Sequence, residues 1–456
     1  MIRNGSLLLI SLFSQIFIEW THEDERLTNN PNQDSSRTQE DALHPQAFDS
    51  SSSANQSNEK LLMILNMNSG LAPYSHEFQR SSLDPQILSG FISAMTSFMG
   101  LVTGKQQSSW KTVFGSDSVI LVVAGKWTYG VLAVTRETNE ARSMLIRVTS
   151  EFEDCFEVFK NSDGIEGSAF REFDQFARMV FVDERVTSRT LVMKRPELRT
   201  LTSLFDLPST TYTMSKMLFN YKAELSVQEI AEFQSLPIEE VVEHVSNAFW
   251  KKAVYLKFVP ADDDLLILSE GASTILFHKS NPLSLADKSV KVIALFDGRT
   301  KLLDFMKNLN HIEKKTLLDD LGNLVNRGYI QRISEEHRLI LQNECILSAL
   351  LSKGSLLVGR KRIIVLFDII SEDGRTQHPW INRIMITDGM QSYCIFEHNS
   401  NLDILNDIID TLEYFIEELK QRFSRLLGRH TLDRLFHGIK TSCIKSWFPH
   451  RSDVGA

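Results

Sequence analysis

Cysteine is scarce in this chain. Its 456 residues include four cysteines, at positions 155, 345, 394 and 443, and no two of them form a Cys-x-x-Cys pair. So few thiols exclude a dense disulfide framework. The missing pair also argues against a structural zinc site of the usual spacing and against a thioredoxin-like motif.

Positive charge is also in short supply. Lys plus Arg number 49 against 58 Asp plus Glu, which gives a formal charge of −9. This balance excludes a protein whose whole surface is built to neutralise phosphates. With 42% apolar and 23% charged residues, the composition is that of a soluble globular protein. The length allows about three domains.

The familiar catalytic and nucleotide-binding motifs are missing. There is no Gly-x-x-x-x-Gly-Lys-Ser/Thr, Gly-x-Gly-x-x-Gly, His-Glu-x-x-His or Gly-x-Ser-x-Gly, and the 12 histidines lack metal-ligand spacing. We therefore predict a protein that is not an enzyme, with no catalytic residue, no metal site and no cofactor.

The first sixty residues form two segments of different composition. Residues 1–20 are mostly apolar, and the run 6–18 has the shape of a secretory signal without a small-x-small cleavage site. A cleaved signal or anchor, a loose amphipathic helix and an over-extended gene start are all open interpretations. Residues 21–59 are rich in Ser, Asn, Gln and Asp, so we expect a disordered linker.

Residues 60–188 predict a compact α+β domain. Apolar runs bounded by turn residues indicate five strands, and apolar residues at helical spacing indicate three helices. Gly125-Lys126 is expected to link the last two strands as a hairpin. The strands are expected at 61–65, 71–78, 112–114, 119–124 and 127–135, and the helices at 84–102, 139–160 and 168–183.

The helix predicted at 84–102 has an unusual second face. Asp84-Pro85 is a typical helix start, and no charged residue occurs between Gln86 and Gly104. A surface helix normally carries charges opposite its core stripe, so this one should be covered on both sides, either by a later helix of the chain or by another protein. The candidate partner-binding residues are Ser89, Gly90, Ser93, Ala94, Ser97 and Trp127.

This region resembles the longin fold of the roadblock/longin superfamily. The likeness lies in the element order and in the phrases Met63–Asn66, Gly70–Ser75, Asp84–Ala94 and Gly115–Asp117. Longin-like domains of archaeal and eukaryotic proteins bind or regulate small GTPases and act in membrane trafficking. The resemblance implies a five-stranded antiparallel sheet with helices, and a partner that is a small Ras-like GTPase or another longin or roadblock domain.

Two winged-helix-like domains are predicted next, at 210–275 and 285–347. The first has helices at 212–222, 227–233 and 237–253, with a wing hairpin of 254–259 and 265–268. The second has helices at 290–296, 300–308 and 311–326, with a wing at 328–333 and 338–341, and its phrase Leu295–Thr300 resembles the opening of small winged helices. Acidic residues at the start of the third helix (Glu239, Glu240, Glu243) make DNA an unlikely partner.

Residues 355–428 predict a small α+β unit and residues 429–456 a basic tail. Strands are expected at 363–369, 380–387 and 390–396, with Asp388-Gly389 as a hairpin turn, followed by a long helix at 402–427. The tail has the composition of a membrane-surface helix. An alternative is a helix docked on the body through the same apolar face. The candidate membrane-surface residues are Arg434, Lys440, Lys445 and Trp447.

Together these patterns indicate an interaction or adaptor protein. The alternative is a winged-helix transcription regulator with a longin-like sensor or dimerisation domain. We expect a cytoplasmic location with a peripheral membrane contact as an open alternative.

Overall fold

A computed structural model describes residues 57–79, 84–103, 109–114, 118–160, 167–195, 224–397, 400 and 402–447. The predicted N-terminal segment 1–20, most of the predicted linker, the predicted helix 212–222 and residues 448–456 of the tail lie outside these residues.

A five-stranded antiparallel sheet opens the described chain, as predicted. Its spatial order is β2-β1-β5-β4-β3. Leu61–Leu65 in β1 are all fully buried, because a strand covered on both faces needs a continuous apolar run. The strands are β1 (Glu59–Asn66), β2 (Tyr74–Glu77), β3 (Ser109–Phe114), β4 (Ser118–Ala124) and β5 (Thr128–Val134).

Three helices accompany this sheet: α1 (Pro85–Thr103), α2 (Asn139–Cys155) and α3 (Phe173–Phe181). Asp84 accepts a hydrogen bond from the Gln86 N–H at 2.8 Å, as expected of the residue that caps α1. The helix predicted at 139–160 ends earlier, at Cys155.

The end of the predicted linker belongs to the fold. Ser57 and Asn58 are buried, and Glu59 begins β1. Asn58 exchanges two 2.9 Å hydrogen bonds with the backbone of Arg136. The prediction of disorder is therefore wrong for residues 57–59, because these polar side chains find partners that only the folded chain supplies.

A second, three-stranded sheet has the order β7-β6-β8. Ser226 and Glu229 form a capping box at the start of α4, and the predicted helices there are confirmed with small shifts in their bounds. The elements are β6 (Leu191–Lys194), β7 (Leu225–Ser226), α4 (Val227–Gln234), α5 (Ile238–Trp250) and β8 (Val254–Lys257).

The predicted wing hairpin at 254–268 is wrong. β8 pairs with β6, whereas β9 (Leu266–Leu268) pairs with β10 (Ile330–Arg332). The loop between β8 and β9 is tied down instead of projecting: Asp262 forms a 2.8 Å ion pair with Arg189, and the buried Asp264 accepts from the Ala261 N–H.

Four further helices lie between β9 and β10 in the chain, and a fifth follows β10. α9 has the predicted bounds, with Asn310 and Glu313 forming its capping box. Residues 338–341, predicted as a wing strand, lie in α10, which Ser334 caps; that prediction is wrong. The helices are α6 (Ala272–Leu276), α7 (Asp287–Ile293), α8 (Leu302–Met306), α9 (His311–Asn326) and α10 (Glu335–Val358).

The C-terminal region combines long helices with one small hairpin. β11 pairs with β12 across Asp388-Gly389, as predicted, and α12 has the predicted bounds. Residues 363–369 are helical, which corrects the predicted strand. The elements are α11 (Arg360–Gly374), β11 (Ile384–Ile386), β12 (Ser392–Cys394), α12 (Leu402–Leu427) and α13 (Arg429–Trp447).

Two large hydrophobic cores run through these elements. One extends without interruption from Leu62 in β1 to Ile330 in β10, and the other joins α10 to α13. The predicted boundaries near 188 and 275 therefore do not separate cores, and Ile340, Ile346 and Leu347 of α10 pack in the C-terminal core. Among the described residues, no helix has the length and apolar character needed to cross a bilayer.

An ion-pair network joins the first sheet to β10, and it is buried at Glu59 and Arg185 and half-buried at Glu140 and Arg332. Glu59 pairs with Arg185 at 2.9 Å, and Glu140 pairs with Arg332 at 3.0 Å. Burial by itself would raise the pKa of Glu140, but the guanidiniums of Arg332 and Arg185 lower it overall. Removing one partner of such a pair leaves an uncompensated buried charge, so these contacts fix the two regions against each other.

Candidate functional site

The outer face of α1 is exposed. Gly90, Ala94 and Ser97 lie on it in contact with solvent, and Ile87 and Phe98 are 75% and 60% exposed. Large apolar side chains at such exposure, on a helix with no charged residue after Asp84, make a surface unlike that of an ordinary solvated helix.

The inner face of α1 covers one side of the first sheet. Leu88 and Ile92 are buried against β1, β4 and β5, in a core that includes Met63, Ile120 and Val131. Ser89 is on this side: it is 3% exposed, and its hydroxyl donates to the Gln86 carbonyl at 2.9 Å. Ser89 is therefore part of the packing of α1 rather than of its outer surface.

Space remains over the outer face. A Cβ added at Gly90 or at Gly100 would meet no atom of the described residues within 4 Å. Ser93 lies at the margin, where its hydroxyl would stand 2.9 Å from a Cβ at Gly70, which holds the β1–β2 turn with a φ of +69°. The surface that we call the α1 face thus consists of Ile87, Gly90, Ala94, Ser97 and Phe98, with Ser93 beside it.

The sheet edge next to this region is formed by β3, which pairs with β4 on one side. An edge strand presents backbone N–H and C=O groups that another strand can bind. Trp110 in β3 packs in the same core as α1, and among the described residues its buried indole N–H has no hydrogen-bond partner.

A cavity of about 430 Å³ opens at the N-terminal end of α1. Its lining includes Gln86, Trp127, Arg171 and a hydrogen-bonded pair, Tyr74 and Asp174, whose oxygens are 2.9 Å apart. Burial, followed by the negative charge of Asp174, raises the pKa of Tyr74. Tyr74 is therefore a fixed hydrogen-bond donor here.

Trp127 lies away from the α1 face. It is 5% exposed and packs in the core on the opposite side of the sheet, near Phe152. Trp127 and Gln86, at the start of α1, line the same cavity. Of the six predicted partner-binding residues, the structure thus brings Gly90, Ala94 and Ser97 together on one open surface.

Glu153 positions the β4–β5 hairpin, and the sequence analysis missed it. Its buried carboxylate accepts hydrogen bonds from the N–H groups of Lys126, Trp127 and Thr128 at 2.7–2.8 Å, and from the Thr128 hydroxyl at 2.9 Å. Gly125 is required beside it, because an added Cβ there would collide with this carboxylate. No local sequence pattern indicates this role, because α2 and the β4–β5 hairpin meet only in the folded chain.

The C-terminal tail is docked on the body. Leu432, Ile439 and Cys443 of α13 are buried against α10 and α12, and Trp447 packs beside Leu265, Ile267, Ile333 and Leu341. The basic residues Arg434, Lys440 and Lys445 are exposed. The apolar face of the tail is therefore occupied by this chain, in agreement with the docked alternative.

Comparison with known proteins adds no assignment: the sequence matches no protein-family model and no curated protein. Among the described residues, no three His, Cys, Asp or Glu side chains are grouped so as to hold a metal ion.

Proposed function

We propose that this protein is a non-enzymatic adaptor that binds another protein through the α1 face. The observation that carries the proposal is the exposure of Ile87 and Phe98 on a helix whose outer surface has no charge. Burying such a surface against a partner removes apolar area from water without leaving a charge unpaired.

The small residues of the α1 face indicate the shape of the partner surface. Gly90, Ala94 and Ser97 are spaced four and three residues apart, so they share one side of the helix. Small side chains let another helix or strand approach closely, and the edge strand β3 offers backbone pairing close by. We therefore favour a partner with the same kind of fold, a longin or roadblock domain, and regard a small Ras-like GTPase as the second candidate.

The order of elements around the first sheet supports this choice. Two strands, a helix, three strands and two helices follow one another, which is the order of the longin fold that the sequence resembles. The regions around α4–α5 and α8–α9 are proposed to be helical supports for the sheet rather than winged-helix modules, because neither predicted wing hairpin forms and both regions share a continuous core with the sheet. No observation favours the transcription regulator, because Glu239, Glu240 and Glu243 are exposed on α5 and would repel DNA phosphates.

The test is binding of the full-length protein to purified candidate partners. Longin and roadblock proteins from the same genome, and its Ras-like GTPases loaded with GDP or a GTP analogue, are titrated against the wild type and against Ala94→Arg. A guanidinium on the α1 face would be buried without a partner, so we expect affinity to fall by roughly tenfold or more.

Ser442→Arg on α13 is the matched control, because Ser442 is also small, exposed and helical. It should bind like the wild type. Thermal unfolding of both variants should stay close to that of the wild type. The proposal fails if no candidate partner binds, or if Ala94→Arg binds as tightly as Ser442→Arg.

A further inference from the structure

A second exposed apolar surface lies at the junction of α10 and α11. Leu356 is 84% exposed, Leu357 57% and Val365 55%, and Ile364 and Ile369 are also exposed. The chain turns between the two helices at Gly359, whose φ of +91° suits glycine. Solvated helical hairpins rarely place this many large apolar side chains together in water.

The exposure does not come from loose packing. Ile363, Phe367 and Ile370 of α11 are buried in the C-terminal core on the inner side. Gly354 of α10 lies so close to Phe423 of α12 that an added Cβ would come within 2.5 Å of its ring. Both helices are therefore held firmly, and the outer apolar residues have a fixed position.

Cations surround this apolar surface. Lys353, Arg360, Lys361 and Arg362 are all exposed, and no acidic residue occurs between Glu344 and Asp368. Arg360 pairs with Asp388 of the neighbouring hairpin at 2.7 Å, and that contact is exposed. Lys361 and Arg362 border a shallow apolar depression of about 370 Å³. This concentration of positive charge stands out in a chain whose net charge is −9.

We infer that the α10–α11 tip, residues 353–365, binds an anionic membrane surface. Apolar side chains would enter the boundary between headgroups and acyl chains, while the surrounding Lys and Arg side chains contact acidic headgroups. Charge complementarity selects this occupant over an ordinary protein surface, because Lys353, Lys361 and Arg362 would each need a matching acid on a protein partner. The inference is independent of the partner proposed for α1.

The inferred membrane contact is therefore on the α10–α11 tip and not on the tail helix α13, where the sequence predicted it. The tail helix α13 has cations but its apolar face is covered, whereas the α10–α11 tip presents both cations and apolar side chains to solvent. A membrane-surface segment requires the two together.

Co-sedimentation of the full-length protein with vesicles tests the inference. The probes are phosphatidylcholine vesicles with one-third phosphatidylserine, and pure phosphatidylcholine vesicles. The wild type should bind the anionic vesicles more tightly, and added salt should weaken that binding. Since each basic residue near such a surface is worth roughly fivefold in binding, Lys361→Glu/Arg362→Glu should lower it by roughly tenfold or more.

Two controls separate this surface from general charge and from misfolding. Lys440→Glu/Lys445→Glu makes the same change of charge on exposed positions of α13 and should alter binding by less than about threefold. Leu356→Ser/Leu357→Ser should reduce vesicle binding with little change in thermal unfolding, because both side chains are exposed.

Two results would overturn the inference. One is a wild type that does not bind anionic vesicles, and the other is a tip variant that binds them like the α13 control. In the first case, light scattering that shows a dimer dissociated by Leu356→Ser/Leu357→Ser would identify the tip as a contact between two copies of this chain.

Discussion

The two faces of the first sheet are covered very differently. Alternate residues of β1 point to opposite sides, so Leu62 and Ile64 enter the core shared with α2 and α3, whereas Leu61, Met63 and Leu65 enter the core under α1. The first core continues through the chain as far as β10. The second ends at α1, whose outer surface is open, and this is why the docking proposal concerns that side.

The largest expected effect is on the face packed by α2. Phe152 is fully buried and its ring lies 4.9–6.3 Å from those of Tyr74, Trp127, Phe156, Phe170 and Phe173. Phe152→Ala should lower the free energy of unfolding by about 3–5 kcal/mol, because it removes the ring and leaves a cavity. Denaturant titration of the full-length protein measures this. A loss below about 1 kcal/mol would show that the Phe152 ring of α2 is not tightly packed against its neighbours.

An effect of intermediate size should come from protonation on the same face. His76 in β2 stacks on Trp250 at 3.5 Å, and burial, together with nearby Lys252, lowers the pKa of His76 to about 3. The unfolded chain would protonate His76 near its ordinary pKa of 6.5. The stabilisation is therefore present above pH 6.5 and is lost as the pH falls toward 3, by about 3 kcal/mol near pH 4.5.

His76→Phe keeps an aromatic ring against Trp250 and removes the titrating group. Subtracting its unfolding free energy from that of the wild type at each pH isolates the contribution of His76. A difference that stays constant between pH 7 and pH 4.5 would contradict the assignment.

The smallest expected effect is on the open side. Phe98 is 60% exposed on α1, so Phe98→Ala should change the free energy of unfolding by less than about 0.5 kcal/mol. The contrast with Phe152→Ala uses the same substitution on the two faces. In the binding assay, however, Phe98→Ala should lower the affinity for the partner that contacts the α1 face. If Phe98→Ala destabilised the protein as strongly as Phe152→Ala, the outer face of α1 would be covered by this chain, and the difference between the two faces would be contradicted.

Elements with long, regular patterns were predicted well. α9 and α12 have the expected bounds because apolar residues recur with a period of 3.6 over several turns of each helix. In α9, a capping box at Asn310 also marks the start of the helix. The five strands were also found, since each apolar run is bounded by turn residues. The Asp388-Gly389 hairpin followed from its two central residues.

The errors occurred where the partner of a segment is distant in sequence. The run at 363–369 is short and apolar, so its pattern fits a strand as well as a helix, and packing against Phe415 in α12 selects the helix. β9 was assigned to β8, which is next to it in the chain, but it pairs with β10, more than fifty residues later. Glu153 could not be recognised for the same reason.

The candidate surfaces show the same division. The uncharged stretch after Asp84, the acid-free stretch before Asp368 and the basic stripe of α13 are visible in the amino-acid order, because composition and spacing are local properties. Which of these surfaces meets water depends on what the rest of the chain brings to it. Packing on α10 and α12 covers the apolar side of α13, whereas Ile87, Phe98 and Leu356 remain exposed, because burial depends on contacts between distant segments.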